Sequence, residues 1–139
     1  MYSALYSTLY NAVKKTRRLL TIAAAASANG AEVRIDGCQN LLFQLVILTM
    51  TGANQTQDFK IQHRLKSTDS WQDTGLAFTQ VVVAGGATWN QSLKSDRPIL
   101  PRVRIVNTAG GTTTTLTATV DMIYEQGPRG RFVNHNAIS

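Results

Sequence analysis

Two hydrophobic periods divide the chain. Over the first eighteen residues Tyr2, Leu5, Tyr6, Leu9 and Val13 recur at i, i+3 and i+4 steps, with Ser3, Ser7, Thr8 and Asn11 elsewhere, which is the stripe of an amphipathic helix. Lys14, Lys15, Arg17 and Arg18 follow, where cations favour the C-terminal end of a helix. The pattern predicts a basic helical arm over residues 1–18. A helix of that length is marginal alone in water, so it docks on its own body or on a neighbour.

From residue 19 onward the period is two. Val33 and Ile35 alternate with Glu32, Arg34 and Asp36; Phe59, Ile61, His63 and Leu65 alternate with Lys60, Gln62, Arg64 and Lys66; Val103 and Ile105 alternate with Arg102 and Arg104. Such runs are half-buried strands with one wet face. Leu116, Ala118, Val120, Met122 and Tyr124 form one row of a longer strand. Residues 41–48 differ, because Leu41, Phe43, Leu45 and Ile47 line one side and Leu42, Val46 and Leu48 the other. This predicts a central strand covered twice, with another subunit as one candidate cover.

Residues 28–30, 36–37, 84–86 and 109–111 carry the Asn-Gly, Asp-Gly and Gly-Gly signals of hairpin turns, and residues 51–54 (Thr-Gly-Ala-Asn) a further turn signal. They divide the body into about eight strands, over residues 19–26, 31–37, 41–50, 58–66, 76–83, 87–93, 102–108 and 113–125. No second helix is predicted after residue 18. The fold class is therefore all-β, an antiparallel sandwich of jelly-roll-like or Ig-like type, with topology left open. Its body spans residues 19–126. Residues 127–139 have two glycines, a proline and no period, and read as an extended tail in which Phe132, Val133 and Ile138 are apolar anchors.

Charge alters this picture only at the ends. The net charge is +6, but residues 19–128 hold eight basic and eight acidic side chains; the excess lies in Lys14, Lys15, Arg17, Arg18, Arg129 and Arg131. The high isoelectric point thus describes two segments rather than a basic domain. One cysteine, Cys38, closes no disulfide and builds no cysteine-rich zinc module. No apolar run reaches the roughly 18 residues a spanning helix needs. Residues 14–28 imitate a signal peptide, but thirteen uncharged residues precede the basic cluster, which argues against one.

The chemical inventory is thin. His63 and His135 are the two histidines, and no His/Cys/carboxylate cluster has metal-ligand spacing. The glycine pairs separate strands, so they are neither a phosphate loop nor a nucleophile elbow. The residues specify no enzyme, no metal and no cofactor. His63 reads as a packed, hydrogen-bonded residue at the core edge and Cys38 as a small hydrophobe. Asp69, Trp71 and Asp73 in the segment STDSWQDTG (67–75) would suit a sugar ring as a carbohydrate-binding module. The weightier reading makes Asp69 and Ser70 a local turn and Trp71 a plug at the end of the sandwich, with Trp89 alike. Four clustered cations give modest nucleic-acid affinity, and the tyrosines lie on the packing stripe, so an acidic protein surface fits the arm better.

The alternating strand that ends at Leu65, the Ser67/Asp69/Trp71 turn, the β-rich stretch with Gly85-Gly86, the segment PRVRIV (101–106) and the Thr-rich last strand resemble small β-sandwich virion proteins of tailed bacteriophages. The resemblance covers residues 31–125 and is to the capsid decoration, or cement, type. It implies a structural protein on the capsid exterior, assembled in the host cytoplasm, whose partners are the major capsid protein and copies of itself, a trimer favoured. No small-molecule substrate is implied. In that reading the arm (Tyr2, Leu5, Tyr6, Leu9, Val13, Lys14, Lys15, Arg17, Arg18) and the tail (Arg129, Arg131, Phe132, Val133) clamp neighbouring subunits. A neck, tail or adaptor component is the alternative within the class. The helical arm has no counterpart in the resemblance.

Overall fold

In a computed structural model the described residues are 13–23, 27–83 and 86–126. Their strands are β1 (Val13–Ile22), β2 (Ala28–Asn29), β3 (Val33–Arg34), β4 (Gln39–Arg64), β5 (Gln72–Ala77), β6 (Val81–Val82), β7 (Asn90–Lys94) and β8 (Arg102–Gln126), with a short 3₁₀ turn at Gly86–Thr88. All pair antiparallel in one sheet ordered β1-β8-β4-β5. β2 and β3 also join β8, and β6 and β7 also join β4.

The organising unit is the pair β4 and β8, joined from Gln39↔Glu125 to Arg64↔Arg102. Both strands change parity midway. β4 buries Leu41, Phe43, Leu45 and Ile47, then Met50, then Gln55, Gln57, Phe59 and Ile61; β8 buries Val103, Ile105 and Asn107, then Leu116, Ala118, Val120 and Met122. A bulge inserts one unpaired residue and so moves the next side chains to the other face. Register shifts at Ile47/Thr49, Thr51/Gly52 and Ala53/Thr56 do this, and one face stays buried along both strands. Because the inner rows of both halves belong to one hydrophobic core, the sheet must curl around it.

Two glycines make the curl sterically possible. Gly111 (φ 70) and Gly52 (φ 147) adopt left-handed backbone, and a Cβ on either would meet a carbonyl oxygen across the ladder, of Asn54 and Thr112 respectively. The turn signals at 51–54 and 109–111 are therefore not hairpins. They lie opposite each other, with Gly52↔Thr113 and Thr56↔Gly110, and form one bend shared by two continuous strands. The runs 41–50 and 58–66 fuse into β4, and 102–108 and 113–125 into β8.

Three further expectations change. The all-β antiparallel character stands, but the architecture is a single curled sheet rather than two separate packed sheets. Residues 13–18 are not helical: they open β1, which pairs with β8 from Val13↔Gln126. The sheet thus begins before residue 19. Leu65, assigned to an apolar row, lies beyond the end of β4 and is 53% exposed. Tyr2, Leu5, Tyr6, Leu9, Arg129, Arg131, Phe132, Val133 and His135 lie outside the described residues.

Candidate interaction surface

β1 forms one end of the strand path. Its outer edge is unpaired among the described residues, and Lys14, Lys15, Arg17 and Arg18 are all exposed along it. Arg18 forms an ion pair with Asp121 on β8 and donates to the Thr21 hydroxyl at 3.2 Å. No carboxylate among the described residues pairs with Lys14, Lys15 or Arg17. Charged side chains on an edge strand oppose pairing with a like-charged strand. An acidic partner meets no such barrier.

Behind this edge, the outer face of the first half of the sheet carries the second apolar row of β4. Leu42 and Val46 are half-buried and Leu48 is 60% exposed. Leu42 stands opposite Ile123 on β8 and Lys94 on β7. The core covers the inner row, and no described residue of the chain covers the outer one completely. The sequence expectation of a two-faced strand thus holds for its pattern, and the second cover is not supplied by the described chain.

On the second half of the sheet the outer face is charged. Arg64 of β4 faces Arg102 of β8, and Gln62 faces Arg104. Glu32 accepts from Arg64 Nη2 (2.7 Å) and Nε (2.9 Å) through Oε1, and from Arg102 Nη1 (2.8 Å) through Oε2. The bonded Arg64 guanidinium, with Arg102 adding to it, holds the Glu32 carboxyl below its usual range although partial burial opposes this. Asp73 is likewise held low, first by the Gln62 amide (2.9 Å) and then by Lys60 (3.0 Å).

Trp71 lies on this charged face. Arg64 and Arg104 sit over its ring with Cζ at 4.2 and 4.7 Å from the centroid, within cation–π range. Trp71 therefore does not plug the end of a sandwich; it is half-buried and covered by guanidinium groups. Asp69 accepts from the Lys66 amide at 2.9 Å, so its expected turn role is realised. A sugar stacking on Trp71 would have to displace arginine, and Asp73 is already bonded twice.

His63 is half-buried, and its Nδ1 accepts from the Leu100 amide at 3.0 Å; burial pushes its pKa down. Trp89 packs against the core and donates through Nε1 to the Val82 carbonyl at 3.2 Å. Cys38 is half-buried against the core. Among the described residues no group of three or more His, Cys, Asp or Glu side chains could hold a metal ion, and no helix is long and apolar enough to cross a membrane. The residues the sequence reading passed over are Glu32, Arg64, Arg102, Arg104 and Gln62. Their alternation marks a wet strand face, but only the register of β4 on β8 brings them together.

Taken together, the curl and these surfaces define an antiparallel β-sheet protein built on two long bent strands, with charged and apolar patches on its outer faces and along one edge. No protein-family model and no curated protein matches the chain. Its fold is similar to that of the SPBc2 prophage-derived protein YomS, with a TM-score of 0.54 at 14% identity over 83% of this chain and 95% of that one. A structure of desmodium yellow mottle tymovirus aligns with a TM-score of 0.48 at 10% identity, over 85% of this chain and 89% of that one.

Proposed function

We propose that the chain is a structural protein of a virus or prophage particle, and within that class a decoration protein that binds the capsid exterior and bridges neighbouring subunits. The observation that carries the reading is the likeness to a prophage-derived protein over 83% of this chain and 95% of that one. The surfaces favour it: an open basic edge and a partly uncovered apolar row suit contacts between subunits. The chain is not an enzyme in this reading. Its partners are the major capsid protein and further copies of itself, a trimer at threefold positions, and its place is the capsid exterior after assembly in the host cytoplasm. Val13 pairs with Gln126 in the sheet, and in this reading the residues that precede and follow them in sequence act as clamps on neighbouring subunits through Tyr2, Leu5, Tyr6, Leu9, Arg129, Arg131, Phe132 and Val133.

The test is co-sedimentation of the purified protein with particles of the virus or prophage that encodes it. The truncation must stop at residue 12, because removing residues 1–18 would strip Val13–Arg18, with all four cations of β1, from β8. The protein lacking residues 1–12 should keep its melting temperature and lose particle binding. Full binding by the truncated protein removes the arm from the contact, and failure of the intact protein to bind particles overturns the decoration role.

A further inference from the structure

The charged outer face leaves guanidinium nitrogens without a carboxylate partner. Arg64 is fully engaged: Nε and Nη2 donate to Glu32 and Nη1 donates to the Asp69 carbonyl at 3.1 Å. Both Glu32 oxygens are then in use, because Oε2 takes Arg102 Nη1. Arg102 Nε is buried with no partner. Arg104 donates through Nε to Gln62 Oε1 at 2.9 Å, and its two terminal nitrogens have no partner among the described residues. Arg102 and Arg104 are two apart on β8, so both stand on the same face.

We infer that the terminal Nη1/Nη2 edge of Arg104, beside Trp71 and supported by the neighbouring Arg102 charge, forms a docking site for an aspartate or glutamate side chain presented by a protein partner. A guanidinium fork matches a planar carboxylate with two parallel hydrogen bonds. Trp71, stacked against the Arg64 and Arg104 guanidinium groups, fixes the orientation of the Arg104 fork, and tryptophan and arginine are the residue types that dominate interface energetics. Gln62, the cross-strand neighbour of Arg104, accepts from its Nε and is itself anchored by donating to Asp73. Burial and the neighbouring Arg64 charge both oppose the charged form of Arg104, and an arriving carboxylate relieves that opposition.

The surroundings select a protein carboxylate over a polyphosphate. Asp73 stands opposite Gln62 in the same cross-strand row as Arg104, and Asp58 lies on the same outer row of β4, taking only the Gln80 amide at 3.1 and 3.2 Å. A nucleic-acid backbone laid along the sheet would meet these carboxylates on adjoining strand positions, whereas a single acidic side chain can reach Arg104 from the Arg102 side, away from Asp58, whose own partner on β8 is Thr108. The inference stands on this geometry and does not require the particle role proposed above.

The test is a titration of the full chain by ¹H–¹⁵N spectroscopy, following the Arg102 and Arg104 Nε–H and Trp71 indole signals. The probes are a blocked triglutamate peptide, inorganic phosphate and a short oligothymidylate. The peptide should shift these three signals saturably. Arg104→Gln should weaken binding about tenfold or more, the order expected for losing hydrogen bonds to a charged group. Arg104→Lys should also weaken it, since charge without the fork is insufficient, while Lys94→Gln on β7, at an exposed position, leaves it unchanged. Equal binding by Arg104→Gln, shifts confined to β1, or tighter Arg104-dependent binding of oligothymidylate or phosphate would overturn the proposal. If Arg104→Gln does not fold, the signals that move in the unaltered protein decide between these outcomes.

Discussion

His63 and Trp71 sit within eight positions of each other in sequence, yet only one was legible there. The place of His63 follows from local alternation, and the structure puts it at the core edge with Nδ1 accepting from the Leu100 amide. Trp71 depends on Arg104, which reaches it only through a pairing between strands some forty residues apart in sequence, so no local pattern shows the stack. The histidine yields a sign. Its folded-state pKa is pushed below the usual 6.5 by burial, so the unfolded chain binds the proton more readily. Stability is then complete above about pH 6.5 and falls as pH drops through that value towards the lowered folded pKa. His63→Asn, which keeps an acceptor in place of Nδ1, should flatten this decline between pH 7 and 5 in equilibrium denaturation; an unchanged slope would remove His63 from it. Glu32 and Asp73, held low by their partners, give a separate loss at more acidic pH, beginning as the solution falls through the unfolded carboxylate range.

Strand existence was readable from residues 33–35, 59–65 and 103–105, because alternation is a local consequence of burying one face. Strand continuity was not. A glycine-rich interruption between two alternating runs looks the same whether the chain reverses or bends, and only the opposition of residues 51–56 to 108–113 distinguishes the two. The same ambiguity misassigned residues 13–18: a helical stripe running up to Val13 carried the period into a segment whose register with β8 fixes it as strand. The bend makes a sharp demand at one position. Gly111 has φ 70, and a Cβ there would collide with the Asn54 carbonyl. Backbone strain of this kind costs about 1–3 kcal/mol before the clash is counted, so Gly111→Ala should destabilise by about 2–4 kcal/mol. Gly86 has open space around its Cβ position, and Gly86→Ala should stay within about 0.5 kcal/mol. Urea midpoints of the two variants provide the comparison, and equal midpoints would mean that the bend does not need left-handed backbone.

At the scale of the whole molecule, the bend divides one sheet into two outer faces of different chemistry. The first presents Leu42, Val46 and Leu48 beside the cationic edge of β1; the second presents Arg102, Arg104 and Trp71. A subunit that bridges neighbours benefits from faces that cannot substitute for each other, because unlike contacts fix its orientation and suppress wrong pairings. Leu48 lies before the bend in β4, and Arg104 pairs with Gln62 beyond it, so the two sites share no partner. Energies of separated sites add to within about 0.5 kcal/mol. If each face meets a different neighbour in the particle, Leu48→Asp and Arg104→Gln should each weaken particle binding, and in the double variant the two fold-losses should multiply. Leu48→Asp is a substitution at a 60% exposed position and should leave the melting temperature nearly unchanged. Salt separates the contributions further: raising ionic strength screens exposed charge, so the loss caused by Lys15→Gln with Arg17→Gln should shrink at high salt while that of Leu48→Asp persists. A double variant of Leu48 and Arg104 no weaker than the worse single one would place both faces against the same partner and remove the bridging geometry.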